Sequence, residues 1–193
     1  MASLLTHALV GSALGQAAER EWRKDWRFWG LVVTCSILPD VDALGFHAGV
    51  PYGALWGHRG MTHSLLFAAI LAAGLALAFR RAFRPWKLGA LLFAVTVSHG
   101  ILDAMTNGGL GVAFFAPFDS ERYFFPWRPI QVSPIGVRRF FTERGIRILS
   151  SEIFWIWCPA LVFAALARMA QLRRKPMQAP IPDANQSAGD GLS

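Results

Sequence analysis

"WGHRGMTHSLLFAAILAAGLALAF", Trp56 to Phe79, sets two imidazoles and a guanidinium against the mouth of an apolar run. From Leu65 to Phe79 the run holds no ionisable residue, the pattern of a helix built to enter a bilayer. His58, Arg59 and His63 therefore stand where unsatisfied polar groups are costly, and a role must explain them.

The whole chain agrees with that reading. Of its 193 residues 54% are hydrophobic and only 16% charged, and the mean hydropathy is +0.37, above the ordinary soluble range. A formal net charge of +7 is compatible with nucleic acid in principle. The basic residues, however, fall into short clusters between apolar segments, which membrane topology explains and a nucleic-acid footprint does not. No nucleic-acid partner is expected. Cys35 and Cys158 each lie inside an apolar segment without CxxC spacing and read as core thiols.

Five apolar segments follow one another: Ser3 to Ala18, Phe28 to Leu38, His63 to Phe79, Leu88 to Met105 and Ile153 to Ala167. The second is stopped by Pro39 and is too short to span unless the basic, Trp-rich stretch before it joins the same helix. The last three are near the length of a crossing, with Pro159 a kink in the fifth. The fold expected is all-α, a polytopic bundle of about five transmembrane helices in a single domain through residue 175. The tail over 176–193 is polar, small and Pro-containing, and is expected to be disordered.

Basic residues orient the helices. Arg20, Arg23, Lys24 and Arg27 follow the first segment, Arg80, Arg81, Arg84 and Lys87 the third, and Arg168, Arg173, Arg174 and Lys175 the fifth. Placed in the cytoplasm, they put the amino terminus and the two longer connections outside. Arg122, Arg128, Arg138, Arg139, Arg144 and Arg147, in the connection from Asn107 to Ser151, count against this at lower density. Part of that connection, Gly136 to Leu149, reads as an amphipathic piece lying along the membrane surface.

This topology brings His7, Asp40, Asp42, His58, His63, His99 and Asp103 to one side of the membrane. His99 and Asp103, four apart on a helix, share a face. Asp40 and Asp42 flank one residue, so extended backbone after Pro39 would aim both carboxylates the same way. His58 and His63, five apart, cannot share a helix face, which assigns His58 to the loop. Imidazole and carboxylate together form the donor set that zinc, manganese or iron accepts, and seven such groups suffice for one or two ions. Such ions polarise phosphoryl or acyl groups and activate water. Arg59 suits a substrate phosphate or oxyanion; Asp42 and His58 suit additional ligands or a base, since one carboxylate left off the metal could take the proton of an attacking water.

Plainer readings stand beside these. His7 alone is an ordinary helix contact, and His99 with Asp103 a structural hydrogen bond. "LPDVD" reads as a helix stop with solvated carboxylates, and "HRGMTHS" as a loop in which Thr62 or Ser64 caps the next helix. His47 belongs to no constellation, and Trp127 is placed to line a site mouth or anchor the interface.

In order along the chain, "LLTHALVG" (Leu4–Gly11), "LPDVD" (Leu38–Asp42), "HRGMTHS" (His58–Ser64), "SHGILDAMTNGG" (Ser98–Gly109) and "PFDSERYFFPWRPI" (Pro117–Ile130) resemble the YdjM-like family of bacterial inner-membrane proteins, described as predicted metal-dependent hydrolases. The resemblance extends from Met1 to Ala167. It implies that the family's polar signature falls on His7, Asp40, Asp42, His58, Arg59, His63, His99 and Asp103. A looser likeness, in the order of an early His, an Asp, a His and then His-x-x-x-Asp, is to zinc-dependent phospholipase C and the single-strand nucleases. Their late His-x-x-x-Glu is missing here, and Glu152 is the nearby carboxylate in its place.

The expectation is therefore an inner-membrane, metal-dependent hydrolase of a phosphoester or lipid-linked substrate, with its site on the periplasmic side. His7, Asp40, His63, His99 and Asp103 are the expected ligands of a divalent transition metal, zinc first. Asp42, His58 and Arg59 are the expected catalytic groups. The competing class is a non-enzymatic metal-binding transporter or scaffold with a structural His/Asp network. Against a transporter, the inner halves of the third and fourth segments hold no ionisable groups.

Overall fold

The computed structural model describes residues 1–133 and 143–173. Six α-helices build it: α1 (Leu4–Gly15), α2 (Trp26–Ile37), α3 (Leu65–Ala78), α4 (Pro85–Ala104), α5 (Glu143–Glu152) and α6 (Cys158–Arg173). Two isolated bridges, Thr106 with Ile130 and Val112 with Tyr123, are the β pairings among the described residues. The chain is an all-α membrane bundle.

Three helical stretches are long and apolar enough to cross a membrane: Trp26–Ala48, Pro85–Ala104 and Glu143–Arg173. Helices α1 and α3, at 12 and 14 residues, are shorter apolar elements. This redistributes the expected crossings. Asp25 accepts from the Arg27 amide and starts α2, so Trp26 and Arg27 join the helix while Arg23 and Lys24 stay outside it in their own turn over Trp22–Lys24. Length comes from the other end. Pro39 breaks the α ladder, but the backbone tightens into a 3₁₀ helix over Leu38–Ala48, which Gly49 ends in the left-handed region at φ 75°. The third segment begins later than expected, because the Ser64 hydroxyl accepts the Phe67 amide and caps α3.

Before Pro159 the helix widens into a π turn over Ile153–Trp157, so the expected kink lies just ahead of the proline. Cys158 is exposed, unlike buried Cys35, because α6 buries none of its residues and packs chiefly beside α1. On α5, Gly145, Ile148 and Glu152 are buried on one stripe, as an amphipathic piece requires. Residues 136–142 of that piece, and the tail from 174, lie outside the described residues.

Small residues bring the inner helices together. Helix α3 buries Ala68, Ala72 and Ala76 at intervals of four, and a Cβ at Gly89 of α4 would sit 3.5 Å from the Ala76 methyl. Helix α1 carries Gly11 and Gly15, a small-xxx-small pair whose signal is in the sequence. A Cβ at Gly11 would lie 2.6 Å from the Ser36 Cβ of α2, and one at Gly15 2.9 Å from Trp29. Phe28, Val32, Leu88, Leu92 and Val95 fill the core between these seams. The polar ends of α1, α2 and α4 meet at one end of it.

Gly11→Val is expected to lower thermal stability in detergent by about 1–3 kcal/mol through overpacking. Gly30→Ala, where a Cβ meets nothing within 4 Å, should leave the midpoint unchanged; equal midpoints for both would contradict the close α1–α2 seam.

Candidate metal centre

Each polar group enters this end of the bundle from a different element. Helix α1 brings His7, the 3₁₀ stretch Asp40 and Asp42, the following loop His58 and Arg59, the turn Met61–His63 His63, and α4 His99 with Asp103. All eight residues singled out by sequence come together. Donor atoms of Asp40, His63, His99 and Asp103 lie within 4.8 Å of one another, as do those of Asp42, His58 and His63. His63 belongs to both groups.

The two aspartates reach it differently from expected. On 3₁₀ backbone rather than extended backbone, Asp40 and Asp42 address opposite nitrogens of the same ring, His63. Asp42 Oδ2 is 3.1 Å from His63 Nδ1, and Asp40 Oδ1 is 3.9 Å from His63 Nε2.

Hydrogen-bond chemistry then fixes the tautomers. His99 Nδ1 lies 2.7 Å from the Ser36 carbonyl, which can only accept, so Nδ1 carries the proton. Asp42, a carboxylate acceptor, lies 2.7 Å from His58 Nδ1 and accepts the Thr62 hydroxyl at 2.6 Å and the Arg59 amide at 3.1 Å. With neutral rings, His58, His63 and His99 therefore each carry a lone pair on Nε2. Those of His63 and His99 face each other at 3.1 Å, with Asp40 Oδ1 3.4 Å from the latter.

Several atoms of these residues are buried and have no hydrogen-bond partner among the described residues: both Asp40 oxygens, both His7 nitrogens and His58 Nε2. His7 stacks on His99 with ring centroids 3.6 Å apart, its Nε2 3.4 Å from Asp103 Oδ1. A buried carboxylate without a partner is costly, so these atoms fit a cation. Charge points the same way. The carboxylate side chains of Asp40, Asp42, Asp103 and Glu152 are buried here, and among the described residues Arg59 forms an ion pair with Asp103 alone of them. A divalent ion would answer the remaining negative charge around Asp40.

Arg59, expected to hold a substrate anion, is fully buried. Its Nε donates to Asp103 Oδ2 at 2.9 Å, Nη1 to the Gly108 carbonyl at 2.9 Å and Nη2 to Thr106 Oγ1 at 2.9 Å. It faces its own chain, not a substrate. Its backbone is left-handed at φ 63°, a strained position held by the bonds at both its ends. The flanking glycines are obligatory, because a Cβ at Gly57 would collide with the Pro51 and Tyr52 carbonyls and one at Gly60 with that of Leu55.

Glu152, offered as a replacement ligand, caps α1 instead. It accepts the Ser3 amide and hydroxyl, each at 2.6 Å, and the Thr6 hydroxyl at 2.8 Å, which fixes the helix turn that carries His7. His47 is exposed, and Trp127 packs edge-on against Trp155 at the π turn.

Arg122 escaped the sequence reading. It donates to the carbonyls of His58, Tyr52 and Ala54 and so clamps the histidine loop from the segment over 106–133. Tyr52 packs edge-on to His58, and its burial raises the phenol above its ordinary value, so it stays protonated.

The family model for the YdjM inner membrane protein matches residues 1–174. The chain belongs to the YdjM inner membrane protein family. A YdjM-family assignment also agrees with a curated relative, the inner membrane protein YbcI of Escherichia coli (strain K12), which is 36% identical over 169 residues, covering 86% of this chain and 96% of the relative. No solved structure matches. In this YdjM-family chain the eight polar residues and the clamp of Arg122 lie within the matched region.

Arg59→Ala leaves the Asp103 carboxylate buried without its cation, at an expected cost of about 3–5 kcal/mol. The measurement is thermal unfolding of the detergent-solubilised protein, and a midpoint within error of wild type would contradict the pairing.

Proposed function

We propose that this chain is a multi-pass inner-membrane, metal-dependent hydrolase that cleaves a phosphoester, on a lipid or lipid-linked substrate, at the periplasmic face. The observation that carries the metal is the pair of Nε2 lone pairs of His63 and His99 converging beside unpartnered Asp40. Like lone pairs at that distance repel unless a cation or a shared proton lies between them.

Asp40, His63, His99 and Asp103 are the ligands, with His7 beside Asp103 as a fifth. Two nitrogens and two oxygens suit zinc, with manganese or iron the alternatives. Bound there, the ion supplies a Lewis acid that polarises a phosphoryl oxygen. The chain's own residues do the rest. Asp42 orients His58 and His63 through their Nδ1 protons, the carboxylate–histidine support that metal sites use. His58 keeps a buried Nε2 that has no partner among the described residues, the group to take a proton from an attacking water. Arg59 holds Asp103 ionised and in place.

A groove of about 260 Å³ supports a lipid. It is lined by Leu38, Val41, Gly45, Trp56 and Phe67 together with Asp42 and Thr62, so an apolar chain lying in it would have polar groups of the centre beside it. One observation favours the non-enzymatic reading. His99 Nε2 at 3.4 Å from Asp40 Oδ1 admits an imidazolium–carboxylate pair, which would make the cluster a structural network.

Elemental analysis of purified protein separates the two. The expected result is one or two equivalents of a transition metal per chain, lost in His99→Ala, with Asp42→Asn binding about 10–100-fold more weakly. Metal-loaded wild type should hydrolyse phosphodiester or phospholipid substrates, and His58→Ala should lose that activity while keeping its metal. Metal-free, well-folded wild type after addition of zinc or manganese would establish the structural network instead.

A further inference from the structure

The opposite end of the bundle is basic and hollow. Lys87 lies sixteen residues before Asp103 on α4, about 24 Å away at 1.5 Å per residue. Two adjoining cavities open there. One, of about 410 Å³, is lined by Glu19, Arg20, Trp22, Lys87, Leu91 and Gln171, among others. The other, of about 590 Å³, is lined by Arg20, Arg23, Arg168, Trp29, Gln171 and Leu172, among others, so Arg20 and Gln171 belong to both.

Charge at this end is incompletely answered. Glu19 pairs with Lys87, Glu21 with Lys24 and Asp25 with Arg27. Among the described residues Arg20, Arg23 and Arg168 form no ion pair, although the charge of Arg20 reaches Glu21, which also lines the larger cavity but is paired with Lys24. Arg23 is held by neutral oxygens, those of Gln16 at 3.1 and 3.2 Å and Gln171 Oε1 at 2.5 Å, so its position is fixed while its charge is not balanced. Desolvation first, then the charges of Arg168 and Arg20, depress its pKa, which places the three guanidiniums within electrostatic reach of one another.

The surroundings match a lipid headgroup level. Trp26 and Trp86, 81% and 71% exposed, stand at this end as interfacial tryptophans do. Helix α6 leads away from the larger cavity with Leu172, Met169, Leu166 and Val162 exposed along it, an apolar track for an acyl chain. A free phosphate has no use for such a track.

We propose that Arg20, Arg23 and Arg168 form a binding site for the phosphate headgroup of an anionic phospholipid whose acyl chain lies along α6. Guanidinium groups suit it because each offers paired donors to phosphate oxygens. The site is separate from the imidazole cluster and stands whether or not that cluster is catalytic.

Native mass spectrometry of the full chain in detergent, titrated with dioleoyl phosphatidylglycerol or dioleoyl phosphatidylcholine, tests this. Phosphatidylglycerol is expected to bind tighter and to raise the thermal midpoint, and millimolar inorganic phosphate to compete only weakly. Arg20→Gln/Arg168→Gln leaves the bonds of Arg23 intact and should weaken phosphatidylglycerol binding on the order of thirtyfold, from two surface charges. Equal binding of the two lipids by wild type overturns the proposal without recourse to a variant. So does undiminished binding by the folded double variant, and strong competition by inorganic phosphate would make it a phosphate site rather than a lipid site.

Discussion

An ionised carboxylate deep among apolar helices is costly unless a cation meets it, and Arg59 meets Asp103 at 2.9 Å with both side chains fully buried. The pair ties α4 to the loop that follows the 3₁₀ stretch. Because His58 precedes Arg59 directly and His63 follows it by only four residues, anchoring the guanidinium also sets both imidazoles. Thr106 and Gly108 take the other guanidinium nitrogens, so the segment beyond α4 is recruited to the same point. The left-handed backbone at Arg59 is the local strain that this anchoring sustains.

From that anchor the remaining polar groups fall into two kinds. Asp42, Glu152, Thr62 and Arg122 have their hydrogen bonds filled from within the chain, and they hold other groups in position. Asp40, His7 and the Nε2 atom of His58 are buried and unfilled among the described residues. A structural network normally saturates its buried donors and acceptors. The unsaturated Asp40 and His58 belong to two donor groups that share His63, and His7 stacks on His99, so together they support the metal proposal better than any one residue does.

The eight polar residues were legible in sequence because ionisable groups at membrane depth are rare enough to stand out one at a time. Their division of labour was not. Asp40 and Asp42 look equivalent in "LPDVD", and only the 3₁₀ backbone sends one to Nε2 and the other to Nδ1 of His63. Arg59 looked like an anion holder because nothing in the sequence reveals that α4 supplies its partner 44 residues later. Arg122 counted against the assigned topology as a loose charge, whereas three carbonyls hold it. The Gly11/Gly15 seam was present as a pattern and went unread, and Cys158 misled because an apolar segment in a membrane bundle need not face the core.

The most direct test of the central claim, that imidazole Nε2 atoms converge on a divalent ion, is X-ray absorption at the zinc edge of zinc-loaded protein in detergent. The account predicts a nitrogen and oxygen shell at about 2.0–2.1 Å with the outer-shell scattering of at least two imidazoles and no sulfur. A spectrum with sulfur ligands, or with no imidazole scattering, would contradict it.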